Sequence, residues 1–282
     1  MTEANPSRIA GEPTQRSESG IAQLQIDHGF FLAYRRRRAS GEGAKRPGIV
    51  FLGGFRSDMT GAKASALDQF CHARGLGFLR FDYSGHGASS GEFRDGTISR
   101  WFADSLAAFD RLTEGPQILV GSSMGGWIML LLALARPERI QGLVGLAPAP
   151  DFTEDLIWRT LPDAAREKLL REGKLEQPSD YSAEPTVITR ALIEDGRKHL
   201  LLGDAIPIPV PVRLLHGLSD PDVPHTVSLR LQQRLATEDV VVHLIKDGDH
   251  RLSRPQDLAR LCTVVEELIQ LSAASNALSP VR

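Results

Sequence analysis

Short apolar runs alternate with amphipathic stretches along most of the chain. The apolar runs predict strands covered on both faces, at residues 48–52, 77–81, 117–120 and 140–146. The stretches between them carry apolar residues at helical spacing and predict helices, at residues 62–73, 98–112 and 125–135. Because strands that alternate with helices build parallel sheets, the pattern predicts an α/β fold: a mostly parallel sheet with helices on both faces.

Strand-like segments also occur outside this central pattern. Residues 21–25 and 30–36 flank Asp27-His28-Gly29, a cluster typical of a hairpin turn, and predict an antiparallel edge. The C-terminal part resumes the alternation of strands and helices, with strands at 212–216 and 240–245 and helices at 227–236 and 255–273.

The alternation stops after residues 147–150, Ala-Pro-Ala-Pro, and resumes only at residue 212. The segment between contains helical pieces at 164–171 and 186–194, separated by Pro and Gly, and no clear strand. Because it leaves and re-enters at the carboxyl edge of the sheet, it would overhang whatever that edge binds. We therefore predict a core of residues 21–149 and 210–282 with an inserted helical cap at 150–209.

Composition and charge argue against several classes of protein. The net charge of -2 leaves no large basic surface for phosphate backbones, which argues against a nucleic-acid partner. No apolar stretch reaches the roughly 18 residues of a membrane span. Residues 1–20 are polar and contain no secretory signal, and they predict a disordered tail.

Two cysteines, Cys71 and Cys262, fall within predicted amphipathic helices. This placement favours buried, reduced thiols over a disulfide framework and indicates a reducing compartment. The simplest expectation from these features is a cytoplasmic location.

The one dense basic run is Arg35-Arg36-Arg37-Arg38. It lies between a predicted strand and a glycine-containing turn. Two interpretations are open: a solvated strand end, which is the more ordinary one, or a site for an anionic ligand.

The strongest candidate for chemistry follows the strand at 117–120. Gly121-Ser122-Ser123-Met124-Gly125 fits Gly-x-Ser-x-Gly, the nucleophile elbow, in which a strained strand-to-helix turn exposes a serine hydroxyl. Only Ser123 occupies the central position, because a frame centred on Ser122 would need glycine in place of Val120 and Met124.

A serine hydroxyl becomes nucleophilic when a base takes its proton, and that base needs an acid to orient it. Two loops that leave predicted strands supply such groups: Asp220 in one and His250 in the other. Their separation matches one strand-helix-strand unit, which places both at the same edge of neighbouring strands. We predict Asp220 as the acid and His250 as the general base.

Other residues compete for these roles. Asp222 could serve as the acid if its loop were longer, whereas Asp249, adjacent to His250, should diverge from it. His86 and His216 also follow predicted strands and could line the site, but each precedes the required acid.

An attacked carbonyl becomes an oxyanion that needs two preorganised donors, usually backbone N–H groups. One should be Met124, directly after the nucleophile at a helix amino terminus. The other should come from the loop after residues 48–52, where we predict Phe55. An ordinary tight turn at Gly53-Gly54 is the alternative.

With these residues placed, the chain from about residue 21 to 271 resembles the α/β-hydrolase superfamily. His-Gly-x-x-Asp-x-x-Val-Pro at 216–224 is similar to the acid loop of many esterases. Residues 52–64, 80–85, 115–123 and 125–127 resemble the mitochondrial palmitoyl-protein thioesterase and acyl-glucuronide esterase type. The resemblance implies cofactor-free cleavage of thioesters and activated esters, with nucleophile, acid and base at Ser123, Asp220 and His250.

The chain departs from that type in two places. The acidic N-terminal segment is unlike a transit peptide, so the mitochondrial address is not expected to transfer. The cap is where such enzymes diverge most. Within it, Ile157, Trp158 and Leu161 could form an apolar acyl tunnel or simply hold the cap down.

The sequence therefore predicts a serine esterase or thioesterase that forms an acyl-enzyme on Ser123. Its expected substrates are small-molecule or acylated-protein esters and thioesters, with no cofactor. A metal is not expected, because histidines and carboxylates do not cluster at ligand spacing. Two alternatives stay open: action on peptide or carbon–carbon bonds, and a non-catalytic binding protein of the same fold.

Overall fold

The computed structural model describes residues 20–26, 29–177 and 185–278. The strands are β1 (Ala22–Gln25), β2 (Phe31–Arg37), β3 (Gly48–Leu52), β4 (Phe78–Phe81), β5 (Gln117–Ser122), β6 (Ile140–Leu146), β7 (Lys174–Gln177), β8 (Thr186–Thr189), β9 (Val212–Gly217) and β10 (Val240–Ile245). Eight of them form one sheet in the order β1-β2-β4-β3-β5-β6-β9-β10. From β4 to β10 every neighbouring pair is parallel.

Helices cover both faces of the sheet. They are α1 (Ala62–Arg74), α2 (Ile98–Leu112), α3 (Met124–Ala135), α4 (Asp163–Glu172), α5 (Arg190–Gly196), α6 (Thr226–Arg234) and α7 (Pro255–Leu278). Buried residues of α1 and α7 pack in one cluster on one face, and those of α2, α3 and α6 pack in another. The predicted α/β fold is confirmed.

The first two strands form the expected antiparallel edge. β1 pairs with β2, and β2 in turn pairs antiparallel with β4. The N–H of Ile26 donates to the carbonyl of Phe30 at the hairpin end. Asp27 and His28 of the predicted turn, and residues 1–19 of the predicted tail, lie outside the described residues.

The segment between β6 and β9 differs from its prediction. It contains α4 and α5, but β7 and β8 pair as a separate antiparallel hairpin, where no strand was expected. The difference lies in residues 186–189, Thr-Val-Ile-Thr, which were predicted as helical. Their β-branched side chains favour a strand, and Thr189 then caps the start of α5 by accepting from the Leu192 N–H.

The turn from β5 to α3 depends on an unusually close approach of backbone to backbone. A Cβ at Gly121 would collide with the carbonyl of Gly125, the second residue of α3. Both clashing groups are main chain, so neither can rotate away. Glycine at 121 therefore lets α3 start directly at the end of β5.

The loop after β3 is supported by His86, whose side chain is buried at 3% exposure. Its ring lies edge-on to the rings of Tyr83, Phe93 and Trp101. Nε2 accepts from the N–H of Arg56, so the other ring nitrogen carries the hydrogen of the neutral form. Burial lowers the pKa of His86 to about 4, which keeps this acceptor available at neutral pH.

Within the described ranges, none of the helices combines the length and the apolar character that crossing a membrane requires.

Replacing Gly121 by Ala should destabilise the protein, because the new Cβ must push α3 away from β5. Overpacking of this kind costs about 1–3 kcal/mol in the free energy of unfolding. Urea denaturation measures the loss. Gly203→Ala is the matched control, since a Cβ there meets nothing within 4 Å. Equal stability of the two variants would contradict the packing described for this turn.

His86 also predicts a pH dependence of stability. Its pKa is lower in the folded protein, about 4, than the value of about 6.5 expected for unfolded histidine. Its neutral form therefore contributes stability that is complete above pH 6.5 and is lost as pH falls toward 4, by up to about 3 kcal/mol.

His86→Gln keeps an acceptor for the Arg56 N–H but does not titrate. We expect the unfolding free energy of this variant to fall less steeply between pH 6.5 and 4 than that of the wild type, as measured by denaturant titration at each pH. Parallel curves for the two proteins would show that His86 is not the source.

Candidate active site

Ser123 occupies a strained position between β5 and α3. Its φ of 54° and ψ of -120° lie outside the regions that residues with a Cβ ordinarily adopt. Three main-chain hydrogen bonds hold it there: its N–H donates to Leu146, and its carbonyl accepts from Gly126 and Ala149. The turn therefore presents the hydroxyl at the carboxyl edge of the sheet.

The structure brings the three predicted side chains together. Nε2 of His250 lies 3.1 Å from the Ser123 hydroxyl oxygen, and Nδ1 lies 2.8 Å from a carboxylate oxygen of Asp220. In the neutral tautomer that fits both contacts, Nδ1–H donates to Asp220 and the Ser123 hydroxyl donates to Nε2. This is the connected chain that acyl-transfer chemistry requires.

Asp220 is held as a carboxylate. Burial would raise the pKa of Asp220, but hydrogen bonds from His216, from His250 and from the Val223 N–H outweigh burial and lower it below its usual range. One oxygen of Asp220 also accepts from the N–H of Asp222. The side chain thus remains negatively charged beside the imidazole at neutral pH.

The two competing acids occupy different surroundings. Asp222 is exposed, although its carboxylate comes close to the acid and base as described below. The Asp249 carboxylate accepts from the N–H of Leu252, three residues further along the chain, and not from His250. Asp220, whose side chain is 1% exposed, is the carboxylate that accepts from the His250 ring nitrogen, as predicted for the acid.

The loops that carry Asp220 and His250 are hydrogen-bonded to each other. The N–H of Ser219 donates to the carbonyl of Gly248 over 3.0 Å, and a Cβ at Gly217 would collide with that same carbonyl. Glycine at 217 therefore permits the contact between the loops. Lys63, at the start of α1, donates through Nζ to the carbonyl of Arg251 and fastens the base loop from the other side.

The loop of one predicted oxyanion donor, Phe55, packs against Ser123, and the other donor, Met124, follows Ser123 directly. A Cβ at Gly54 would come within 3.3 Å of the Ser123 Cβ, so the loop after β3 packs against the serine. Among the described residues, the N–H groups of Phe55 and Met124 donate to no other group. Both are therefore available to a substrate oxygen.

The two histidines that the sequence placed as possible lining residues are buried and support this geometry from beneath. His216 is fully buried, and its Nε2 lies 2.9 Å from the Val223 carbonyl and 3.4 Å from Asp220. The Ser228 hydroxyl lies 2.7 Å from the other ring nitrogen. His86 supports the loop of Phe55 through Arg56. Their placement after strands was visible in the sequence, but only packing shows that they lie beneath the site.

One group of side chains contradicts the expectation that histidines and carboxylates do not cluster at metal-ligand spacing. Ligand atoms of Asp220, Asp222 and His250 all lie within 4.8 Å of one another. The reason is that Asp220 and His250 are hydrogen-bonded to each other, which commits the ring nitrogen and the oxygen that a metal would need.

The apolar residues singled out in residues 150–209 pack among themselves. Leu161 is buried in a cluster with Leu169 of α4, and Ile157 and Trp158 pack against that cluster. This arrangement favours the packing role over the acyl tunnel. Phe55 touches the same cluster and also contacts the Phe152 ring at a centroid distance of 5.6 Å. Aromatic surface therefore surrounds the loop beside Ser123.

The family model "Alpha/beta hydrolase family" matches residues 49–261. The mouse protein named "Palmitoyl-protein thioesterase ABHD10, mitochondrial" is 41% identical over 239 residues, which are 84% of this chain and 78% of the mouse protein. The human protein of the same name is 40% identical over 258 residues, covering 91% of this chain and 82% of its own length.

Two solved structures are similar over nearly their whole length. A protein from Agrobacterium vitis S4 has a TM-score of 0.83 and 45% identity, over 88% of this chain and 99% of its own. Mouse alpha/beta hydrolase domain-containing protein 10 has a TM-score of 0.81 and 39% identity, over 89% of this chain and 98% of its own. The predicted hydrolytic enzyme and its likeness to the palmitoyl-protein thioesterase type are confirmed.

The expected cytoplasmic location is wrong in the light of these relatives, which are named as mitochondrial. Its premise was that Cys71 and Cys262 are reduced, and both are free thiols in the structure. Free thiols do not identify a compartment, so this premise could not carry the expected location.

The parallel sheet, the strained serine at the end of β5 and the match over residues 49–261 lead to one assignment. The chain belongs to the α/β-hydrolase family.

Proposed function

We propose that this protein is a serine hydrolase that cleaves acyl thioesters and carboxylic esters through an acyl-enzyme on Ser123. The observation that carries the proposal is the continuous contact from the Ser123 hydroxyl through His250 to Asp220. A binding protein has no use for a charged acid, an oriented base and a strained serine in one chain of contacts.

In the proposed first half-reaction, each group has a role that its contacts support. As the Ser123 oxygen attacks the acyl carbon, His250 Nε2 takes the hydroxyl proton, and the carboxylate of Asp220 stabilises the imidazolium that forms. The carbonyl oxygen becomes an oxyanion and accepts from the N–H groups of Phe55 and Met124. When the bond to the leaving group breaks, His250 returns the proton to the departing thiolate or alkoxide.

In the second half-reaction, water is the nucleophile and the Ser123 oxygen is the leaving group. His250 takes a proton from water, the hydroxide oxygen attacks the acyl carbon, and the bond to Ser123 breaks. The proton then passes from His250 to the Ser123 oxygen, which restores the free enzyme and releases a carboxylic acid. No step requires a cofactor.

Two observations favour acylated substrates. The relatives that match most of the chain are named as palmitoyl-protein thioesterases. The rings of Phe55, Phe93 and Phe152 form an aromatic surface next to the proposed oxyanion donors. Apolar surface of this kind suits an acyl chain, carried by a small molecule or by a protein, with few polar groups needed for orientation.

We also infer that residues 150–209 act as the cap of a core formed by residues 21–149 and 210–282. Arg56 connects the two, since its guanidinium donates to the Pro185 carbonyl and the Thr186 hydroxyl over 3.0 Å each. Because Arg56 follows Phe55 directly, the position of the cap is linked to the loop that bears a proposed oxyanion donor.

Ser123→Ala should lower kcat/KM for p-nitrophenyl esters and for an acyl thioester by about a thousandfold or more, since no other group can carry the acyl chain. Ser122→Ala is the matched control, because its side chain lies one residue before the turn. Steady-state kinetics on both substrates measure the effect. An active Ser123→Ala enzyme, or equal losses in the two variants, would refute the assignment of the nucleophile.

Asp220→Asn should retain the fold but lower kcat by about a thousandfold or more, because an amide can donate to His250 and favour the wrong tautomer. Asp222→Asn, two residues away and exposed, should keep near wild-type kcat. The same assays compare the two. A larger loss in the Asp222 variant would assign the acid to Asp222 instead.

A further inference from the structure

The large sheet ends at β10. In the part of the chain that the structure describes, β10 pairs with β9 on one side and with no strand on the other. The carbonyls of Asp239 and Ile245 accept from N–H groups near the two ends of β9. In a strand, residues that bond to one neighbour alternate with residues whose N–H and C=O groups point to the opposite side. The backbone groups of Val242 and Leu244 therefore point outward, away from β9.

This edge of the sheet is apolar and unprotected. The strand reads Val-Val-Val-His-Leu-Ile, and within it Val241 is 42% and Leu244 is 44% exposed. Soluble proteins commonly protect an edge strand with lysine, proline or a bulge, because its unpaired N–H and C=O groups accept another strand. β10 contains neither lysine nor proline, and its register with β9 is continuous. The opposite edge, β1, is shorter and contains two glutamines.

We propose that β10 pairs antiparallel with β10 of a second copy of this chain, so that the two sheets become one. A two-fold axis perpendicular to the sheet relates the two strands, and residues directly opposite each other then point to the same face. With the axis at Val242, the outward N–H and C=O groups of the two Val242 residues bond to each other. Leu244 then lies opposite Val240, whose carbonyl also accepts from the Gln232 side chain.

Charges just outside the strand fit the same register. Glu238 precedes β10 and Lys246 follows it, each four residues from the proposed axis, so Glu238 of one copy lies next to Lys246 of the other, twice by symmetry. Both side chains are exposed, and neither forms an ion pair among the residues described. The neighbouring Asp239 and Asp247, in contrast, are paired with arginines of their own chain. This complementarity of the strand with itself argues for a second copy as the partner.

The proposed dimer does not obstruct the candidate active site. Because the two copies of β10 run antiparallel, the carboxyl ends of the two sheets point in opposite directions. The Ser123, Asp220 and His250 side chains of each copy therefore lie at opposite edges of the joined sheet. The pairing uses the backbone and side chains of β10 alone, so the proposal does not depend on the hydrolytic chemistry.

The test is sedimentation velocity of the full chain over a series of concentrations that spans the roughly micromolar range. We expect a monomer–dimer equilibrium that follows mass action, with a dimer of twice the mass of one chain.

Exchanging the charges tests the register. Glu238→Lys and Lys246→Glu should each raise the dissociation constant by about tenfold, because each creates two like-charge pairs across the axis. The double variant, Glu238→Lys with Lys246→Glu, should return the constant to within about threefold of the wild type, since both pairs are restored in reverse. Glu167→Lys is the matched control: it makes the same charge change on an exposed residue of α4 and should dimerise as the wild type does.

Val242→Pro tests the backbone pairing. Its N–H points away from β9, so proline removes a donor at the dimer axis without removing a bond within the sheet. We expect a monomer at every concentration, with a far-ultraviolet circular dichroism spectrum like that of the wild type. If this variant does not fold, the charge exchanges decide the question, because both residues are exposed.

A wild-type chain that stays monomeric throughout the series would overturn the proposal. A dimer that tolerates folded Val242→Pro would also overturn it, because the contact would then lie on another surface. Single charge exchanges that weaken the dimer without recovery in the double variant would contradict the register centred on Val242.

Discussion

The left-handed backbone of Ser123 is the constraint on which the rest of the site depends. A residue with a Cβ at φ 54° carries strain on the order of 1–3 kcal/mol, and the surrounding structure must hold it. Hydrogen bonds to Leu146, Gly126 and Ala149 do so, and the glycine at 121 lets α3 pack against the end of β5. The same strain turns the hydroxyl away from the sheet and toward His250. A relaxed turn would return the side chain to the strand and remove the contact on which the proposed chemistry relies.

Around this turn, the buried polar groups act as supports for the groups that would meet substrate. His216 lies below Asp220, and His86 accepts the N–H next to Phe55. The loops of the acid and the base are joined through Ser219 and Gly248, so the two cannot move apart independently. The His86 and His216 side chains are buried, and hydrogen bonds are electrostatically stronger there than in water. Most of the contacts that position the site residues are therefore buried, and only a small part of the site is exposed.

Much of the core could be predicted from the sequence. The apolar runs of β3, β6 and β10 and the periodicity of α2 predicted the bounds of those elements to the residue, because apolar strands and amphipathic helices leave distinct sequence patterns. The hairpin of β7 and β8 could not be predicted, since two four-residue strands carry little pattern and Thr186-Val-Ile-Thr leads directly into α5. The pairing of Arg35 with Arg80 was also hidden, because register between strands 45 residues apart depends on packing. The buried positions of His86 and His216 could not be predicted for the same reason, since they also depend on packing.

The predicted order of strands was enough to place Ser123, His250 and Asp220 at one edge of the sheet. Their catalytic roles are a prediction that a reaction of the protein must test. The most direct measurement treats the folded full-length protein with a fluorophosphonate and maps the adduct by peptide mass spectrometry. The account predicts one adduct, on the Ser123 oxygen, which forms much more slowly in His250→Ala because that variant lacks the base. An unmodified folded protein, or an adduct on Ser122 or any other residue, would contradict it.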